Sequence, residues 1–287
     1  MAVRCRGAGR PCHACLRCSA DAEMLRTMPL SDARNDLAAI LHDQSIDETH
    51  PAIRQHLTML EVSGFEVLTE SDWNRVSGHL VLDVCATIQD RLGEPVATLR
   101  RLYDPVNRIA HHRAIDVHGA PGEGIGPTLM LQALRHLAAL GYEQIVFSAE
   151  PPIGRAYWAR YDVSFVGGAD GVHADRVRRW FDDTLPLFGI DPVPGALPKD
   201  FWQVGWDYER GCVGSAVRIS EVGRKLGIDP GGILERRVSG TSHLGEALLL
   251  FGPDWKGTIR LRSNEARSMR IQLAAAIQRA AERSAIT

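Results

Sequence analysis

The sequence predicts an α/β (α+β) protein: a mixed central β-sheet flanked by helices, with a mostly helical extension at the C-terminus. Three observations carry this. Strand-like runs arrive in series at 79–88 (HLVLDVCATI), 95–104 (PVATLRRLYD) and 108–119 (RIAHHRAIDVHG). The strongest helical stretch, residues 127–140, follows them and returns at once to an apolar strand at 142–150 (YEQIVFSAE), a succession that mixes strand directions. Hydrophobic residues make up 45% and charged residues 24% of the 287, a mixture able to bury a core.

Composition also excludes classes. A formal net charge of −2 offers no basic field for nucleic acid. No run of 18 apolar residues reads as a membrane span. Arg4, Arg6 and Arg10 have no apolar stretch behind them, so no secretory signal is read and a cytoplasmic protein is expected.

In chain order, residues 1–28 form a Cys-rich tail, expected to be disordered. Cys12, Cys15 and Cys18, with Cys5 or His13, have spacing that could serve zinc, but no second CxxC follows, so no metal is assigned. Cys85 and Cys212 read as small buried residues. Residues 29–45 place Leu37, Ile40 and Leu41 at helical spacing, and 50–64 form a second helix, with Pro51 in the first turn and Gly64 as its stop. The three strands follow, with turns at 91–94 (RLGE) and 104–107 (DPVN). The helix at 127–140 buries Leu129, Leu131, Leu134, Leu137 and Leu140, and Gly141 ends it. Residues 153–165 read as a short helix feeding a strand, and 171–183 as a helix. Beyond a connection at 192–200, helices are expected at 214–228, 241–251 and 264–284, with a short strand at 257–263. The organisation read from this is a tail (1–28), a body (29–185), and a C-terminal extension or small second domain (186–287). The terminal helix has a narrow apolar stripe, suited to covering the body or to pairing two copies as a homodimer. Trp180, Phe181, Phe201, Trp202 and Trp206 read as staples between extension and body, or alternatively as the lining of an acceptor pocket.

The chemistry is concentrated in GAPGEGIGPT (119–128), four glycines ahead of the strongest helix. The first amides of a helix lack partners and carry partial positive charge, so side-chain-free backbone there suits a phosphate or diphosphate. A Walker loop is excluded because no Lys follows, and the dinucleotide fingerprint lacks its third glycine. A glycine turn with no ligand is the plain alternative.

The stretch PGEGIGPTLMLQALRHLAALGYEQI resembles the acetyl-CoA loop and following helix of the GNAT superfamily of N-acetyltransferases. That family's Gln/Arg-x-x-Gly-x-Gly/Ala falls on Pro121-Gly122-Glu123-Gly124-Ile125-Gly126, with Pro in place of the first residue. The hairpin around 91–94 matches two strands before the loop strand. AYWARYDVSF (156–165) resembles the family's Phe-Tyr-x-x-x-Gly-Phe helix end, with Asp162 and Val163 at the Gly and Phe. The resemblance spans residues 60–185 and implies a GNAT-like acyl-CoA fold. It implies acetyl-CoA or another acyl-CoA as co-substrate, and a small-molecule or protein amine as acceptor. Ile115 and Val117 would flank the pantetheine arm; Gly122, Gly124, Ile125 and Gly126 would cradle the diphosphate, with Thr128 adding a hydroxyl. Trp158 occupies the place of the family's tyrosine acid, so Tyr157 is the substitute acid. Glu150 and His118 are the candidate bases, and His112 and His118 fall by alternation on one face with Asp116. The alternative is the same fold kept as a catalytically inactive acyl-CoA-binding or protein-interaction module.

Overall fold

The computed structural model describes residues 29–42, 51–62, 64–76, 78–117, 124–150, 154–192, 195–214, 216–229 and 240–284. The Cys-rich tail, with Cys5, Cys12, Cys15 and Cys18, lies outside the described residues. Two helices, α1 (Leu30–His42) and α2 (Pro51–Thr58), precede an antiparallel meander of β1 (Glu66–Val76), β2 (His79–Gln89), β3 (Pro95–Asp104) and β4 (Ile109–Val117). The turn between β2 and β3 is fixed by Asp90, whose Oδ1 accepts from the amides of Leu92 (2.8 Å) and Glu94 (3.0 Å). Helix α3 (Ile125–Leu140) then crosses to β5 (Gln144–Ala149), which runs parallel to β4. All five predicted leucines of α3 are buried, and Gly141 ends it at φ +95°.

The chain continues through α4 (Gly154–Ala159), β6 (Ser164–Phe165) and α5 (Val172–Thr184). It then adds α6 (Pro198–Trp202), the two-residue strands β7 (Trp206–Asp207), β8 (Cys212–Val213), β9 (Val217–Arg218) and β10 (Thr241–Ser242), with α7 (Ile219–Lys225) after β9. Helix α8 (Leu244–Phe251), strand β11 (Trp255–Arg260) and helix α9 (Asn264–Ser284) complete it. The seven-stranded sheet is ordered β1-β2-β3-β4-β5-β11-β6, antiparallel throughout except between β4 and β5. The protein is thus a mixed α/β structure with a mostly antiparallel sheet flanked by helices and a largely helical C-terminal part. No helix of the described residues is long and apolar enough to cross a membrane.

Strand β11 lies between β5 and β6, so a strand from the C-terminal segment is interior to the sheet. Trp255 on β11 is 1% exposed and meets Phe165 with ring centroids 5.5 Å apart. Phe181 and Phe201 meet at a tilt with ring centroids 4.9 Å apart, and Trp180 donates Nε1–H to the Leu248 carbonyl at 3.0 Å. Asp162 accepts from Lys199 Nζ (2.7 Å) and Ser268 Oγ (2.6 Å), tying both α6 and α9 to the end of α4.

Three local expectations are corrected. The strand β1 was not read because charged or polar residues fill both faces of 66–76: it is an edge strand, and Val67 is its one buried residue. Cys85 and Cys212 are exposed rather than buried; Cys85 points outward from β2, between the inward Val84 and Ala86. Helix α3 begins at Ile125, two residues before the predicted start.

Candidate functional site

The site begins with a fault in the sheet. Across β3 and β4, Arg101 pairs with His112, but Arg100 pairs with Ala114, leaving Arg113 as an extra residue on β4. Such a bulge bends and twists its strand. The parallel ladder between β4 and β5 runs from Ile109↔Gln144 to His112↔Phe147 and ends there. Past that point β5 remains paired with β11 on its other side through Ser148↔Lys256 and Ala149↔Trp255. The β5-facing edge of residues 113–117 therefore has no strand partner among the described residues, and the two strands diverge. An edge of this kind can pair with an extended segment. The bulge also breaks the predicted alternation. Ala110 and His112 point inward, but the next inward residue is Ile115, so His112 (2% exposed) and the exposed Asp116 do not share a face.

The N-terminus of α3 opens beside this divergence. Gly124 caps it at φ +76°, a backbone that side-chain-bearing residues adopt only under strain, and its carbonyl accepts the Thr128 amide at 2.9 Å. Pro127 sits third in the helix, where its missing N–H forfeits no helical bond. The glycines are bare for different reasons. A Cβ on Gly124 would lie 3.1 Å from Ala280 Cβ and 3.7 Å from Ile277 Cα, so its open side is filled by α9. A Cβ on Gly126 would meet only Ile115 Cδ1 at 3.8 Å and the Tyr157 hydroxyl at 3.9 Å, ordinary contacts. Gly126, Ile115 and the Tyr157 hydroxyl thus converge where β4 and β5 part.

Helix α4 sorts its aromatics by depth. Trp158, 3% exposed, stacks on Phe147 (centroids 4.6 Å apart) and meets the His112 ring at 5.1 Å. Its neighbour Tyr157 meets the Trp158 ring edge-to-face, with centroids 4.7 Å apart, and carries its hydroxyl to Gly126. The Tyr157 hydroxyl accepts from Tyr161 Oη (3.3 Å), which in turn accepts from Arg160 Nη2 (3.2 Å), and the Arg160 guanidinium lies 4.2 Å from the Tyr157 ring centroid. Burial, reinforced by Tyr161, pushes the Tyr157 phenol far above its ordinary 10.0, so it keeps its proton. With its oxygen already accepting, that proton is available for donation outward.

Of the sequence-predicted residues, the structure brings Ile115, Gly126 and Tyr157 together. Ile125 is 2% exposed and packs inward with Leu129 and Ile88. Thr128 is half-buried on α3, Val117 is exposed near the end of β4, and Glu150 is exposed just beyond β5. His118 and Gly122 lie outside the described residues. His112 is locked away: its Nδ1 accepts from Arg101 Nε at 3.3 Å, and burial together with Arg101 holds its pKa well below 6.5. Arg160 and Tyr161 were not singled out as partners of Tyr157, although their i+3 and i+4 spacing on a helical stretch was a readable signal. Among the described residues, no group of three or more His, Cys, Asp or Glu could hold a metal ion.

Comparison with known proteins adds little to this geometry. No family model matches the chain. No curated protein matches it either. Among solved structures, a crystal structure of nourseothricin acetyltransferase is similar over 44% of this chain and 88% of that one, at 14% identity and a TM-score of 0.23. A score that low carries no weight for fold or function, so the functional reading rests on the residues themselves.

Proposed function

We propose that the protein is an acyl-CoA-dependent N-acyltransferase that moves an acetyl group from acetyl-CoA to an amine by direct attack. The observation that supports this most is the convergence, where β4 and β5 part, of a β4 edge without a strand partner among the described residues, a bare helical residue and a proton-bearing phenol. Each feature answers a need of that reaction. The β5-facing main-chain groups of 113–117 would pair with an extended amide-bearing arm as a strand does. The helical amides of Ile125 and Gly126, at the positive end of α3, would face the diphosphate. Gly126 adds no side chain to that approach and is bordered by Ile115 and the Tyr157 hydroxyl, while Gly124 is screened by α9, so the fit is to the Gly126 side of the helix mouth.

In the reaction, the amine nitrogen bonds to the acyl carbon, the carbon–sulfur bond breaks, and the nitrogen sheds a proton. Tyr157 would give its proton to the departing sulfur, for which a phenol held neutral is suited. Glu150, at the solvent end of β5, is the described residue assigned to take the amine proton, directly or through water. His118 is the second candidate. A bound complex without turnover is the competing reading, and the α9 contact on Gly124 favours it to the extent that α9 narrows the mouth.

The test is a thermal-shift titration with acetyl-CoA and CoA, followed by thiol release with a panel of amines. A ligand at a hundred times its Kd stabilises by about 2.7 kcal/mol, which is readily seen. Gly126→Glu should remove the shift and leave the ligand-free melting temperature near that of the parent. A shift without thiol release would assign a binding module; no shift with either ligand would overturn the proposal.

A further inference from the structure

Arg101 lies in the middle of β3 and is 2% exposed. A guanidinium is a cation, and a buried charge requires compensation. The partners present are neutral. Nε donates to His112 Nδ1 at 3.3 Å, and Nη2 donates to the Leu129 carbonyl at 2.9 Å. Since Nδ1 accepts, the His112 proton is on Nε2, and the ring carries no charge. Among the described residues, no carboxylate forms an ion pair with Arg101.

The same side chain lines a cavity of about 20 Å³, together with His56, Tyr103, Gln132 and His136. No acidic residue is in the lining. The walls are fixed. Gln132 both accepts from the Glu61 amide (3.3 Å) and donates to the Glu61 carbonyl, and His56 Nδ1 lies 3.3 Å from His136 Nε2. A space of this size admits one water-sized occupant and excludes phosphate or sulfate. The rest of the lining is apolar, with Leu57, Leu60 and Leu137 in it. A lining without an acidic residue, beside a guanidinium that has no carboxylate partner among the described residues, suits a small anion.

We propose that this cavity is a binding site for one monovalent anion of halide size, with Arg101 as its principal ligand. The ion would neutralise a side chain that joins β3, β4 at His112 next to the bulge, and the first turns of α3 at Leu129. These are the elements that frame the convergence beside β4, so an occupied site would brace its geometry. The proposal does not require acyl transfer, and the two stand or fall by separate measurements.

The experiment is a thermal-shift titration of the full chain in sodium chloride, sodium bromide and sodium gluconate at matched ionic strength, repeated with Arg101→Met. Bromide-soaked crystals measured at the bromine absorption edge supply the position. Expected are a saturable rise in melting temperature with either halide over gluconate, the loss of that difference in Arg101→Met, and an anomalous peak in the cavity beside Arg101. Should Arg101→Met fail to fold, the parent titration and the bromide map decide alone. Identical titrations in halide and gluconate with an empty cavity in the bromide map would overturn the proposal. So would a bromide peak with no halide effect in solution, which is binding at crystal concentration only.

Discussion

Adjacent aromatic residues on α4 have opposite roles. Trp158 fills the core between Phe147 and His112, and Tyr157 turns a proton toward Gly126. Substitution should separate them. Trp158→Ala removes a fully buried indole and should cost about 3–5 kcal/mol, measured by urea unfolding. Tyr157→Phe deletes only a hydroxyl and should leave stability within about 1 kcal/mol, while thiol release falls about a hundredfold at saturating acetyl-CoA. Because the phenol pKa is raised above 10.0, parent kcat should show no alkaline limb from this group below that pH. An alkaline limb near neutrality that vanishes in Tyr157→Phe would contradict the environment described. Tyr161→Phe should produce a smaller loss, since it removes a donor to the reacting phenol and not the phenol itself.

Gly124 belongs to a contact between helices. Two effects oppose any side chain there: the left-handed backbone at φ +76° and the Ala280 Cβ at 3.1 Å. The first costs about 1–2 kcal/mol and is intrinsic to the residue; the second depends on α9. Gly124→Ala should therefore destabilise, and adding Ala280→Gly should recover the steric part alone, leaving the backbone cost. Full additivity of the two single changes would show that α9 does not press on this residue. The sequence made α3 legible because its leucines recur at helical spacing and glycines bracket it. The reason for Gly124 was not legible, because the element that fills its open side lies some 150 residues further along the chain. Much the same holds for β4. Its strand character could be read, but the bulge at Arg113 arises from pairing with β3, so period-two alternation misplaced Asp116 relative to His112. Asp162 was read as a departure from a family pattern; its bonds to Lys199 and Ser268 show that it anchors the C-terminal segment.

At the scale of the whole molecule, β11 determines what can fold alone. It pairs six residues with β5 and carries Trp255 into the core. A chain ending at residue 185 would expose one edge of β5 and uncover Phe165 and Phe181. We expect residues 29–185 expressed alone to lack a cooperative thermal transition, and co-expression with residues 186–287 to restore one. A sharp transition in the short chain would show that the C-terminal segment is dispensable for the fold.

The histidines act together on the same scale, and their sign can be worked out. His111, His112, His136, His173 and His243 are all pushed below 6.5, in each case chiefly by burial. In the unfolded chain each takes up a proton as pH falls through about 6.5, while the native state resists it. The unfolded state then binds more protons, so this contribution to stability is complete above 6.5 and is lost progressively as pH falls below it. For His112, 2% exposed beside Arg101, the loss should approach about 1.4 kcal/mol per pH unit below that point. The window from pH 7.5 to 5.5 spans the ordinary histidine value of about 6.5. Urea unfolding across that range should show stability falling with acid, and His112→Asn, which keeps an acceptor for Arg101, should be less stable at pH 7.5 yet lose less on acidification. Parallel pH dependences for parent and variant would mean that His112 takes up its proton in the native state, and that the ring beside Arg101 is not the neutral partner described.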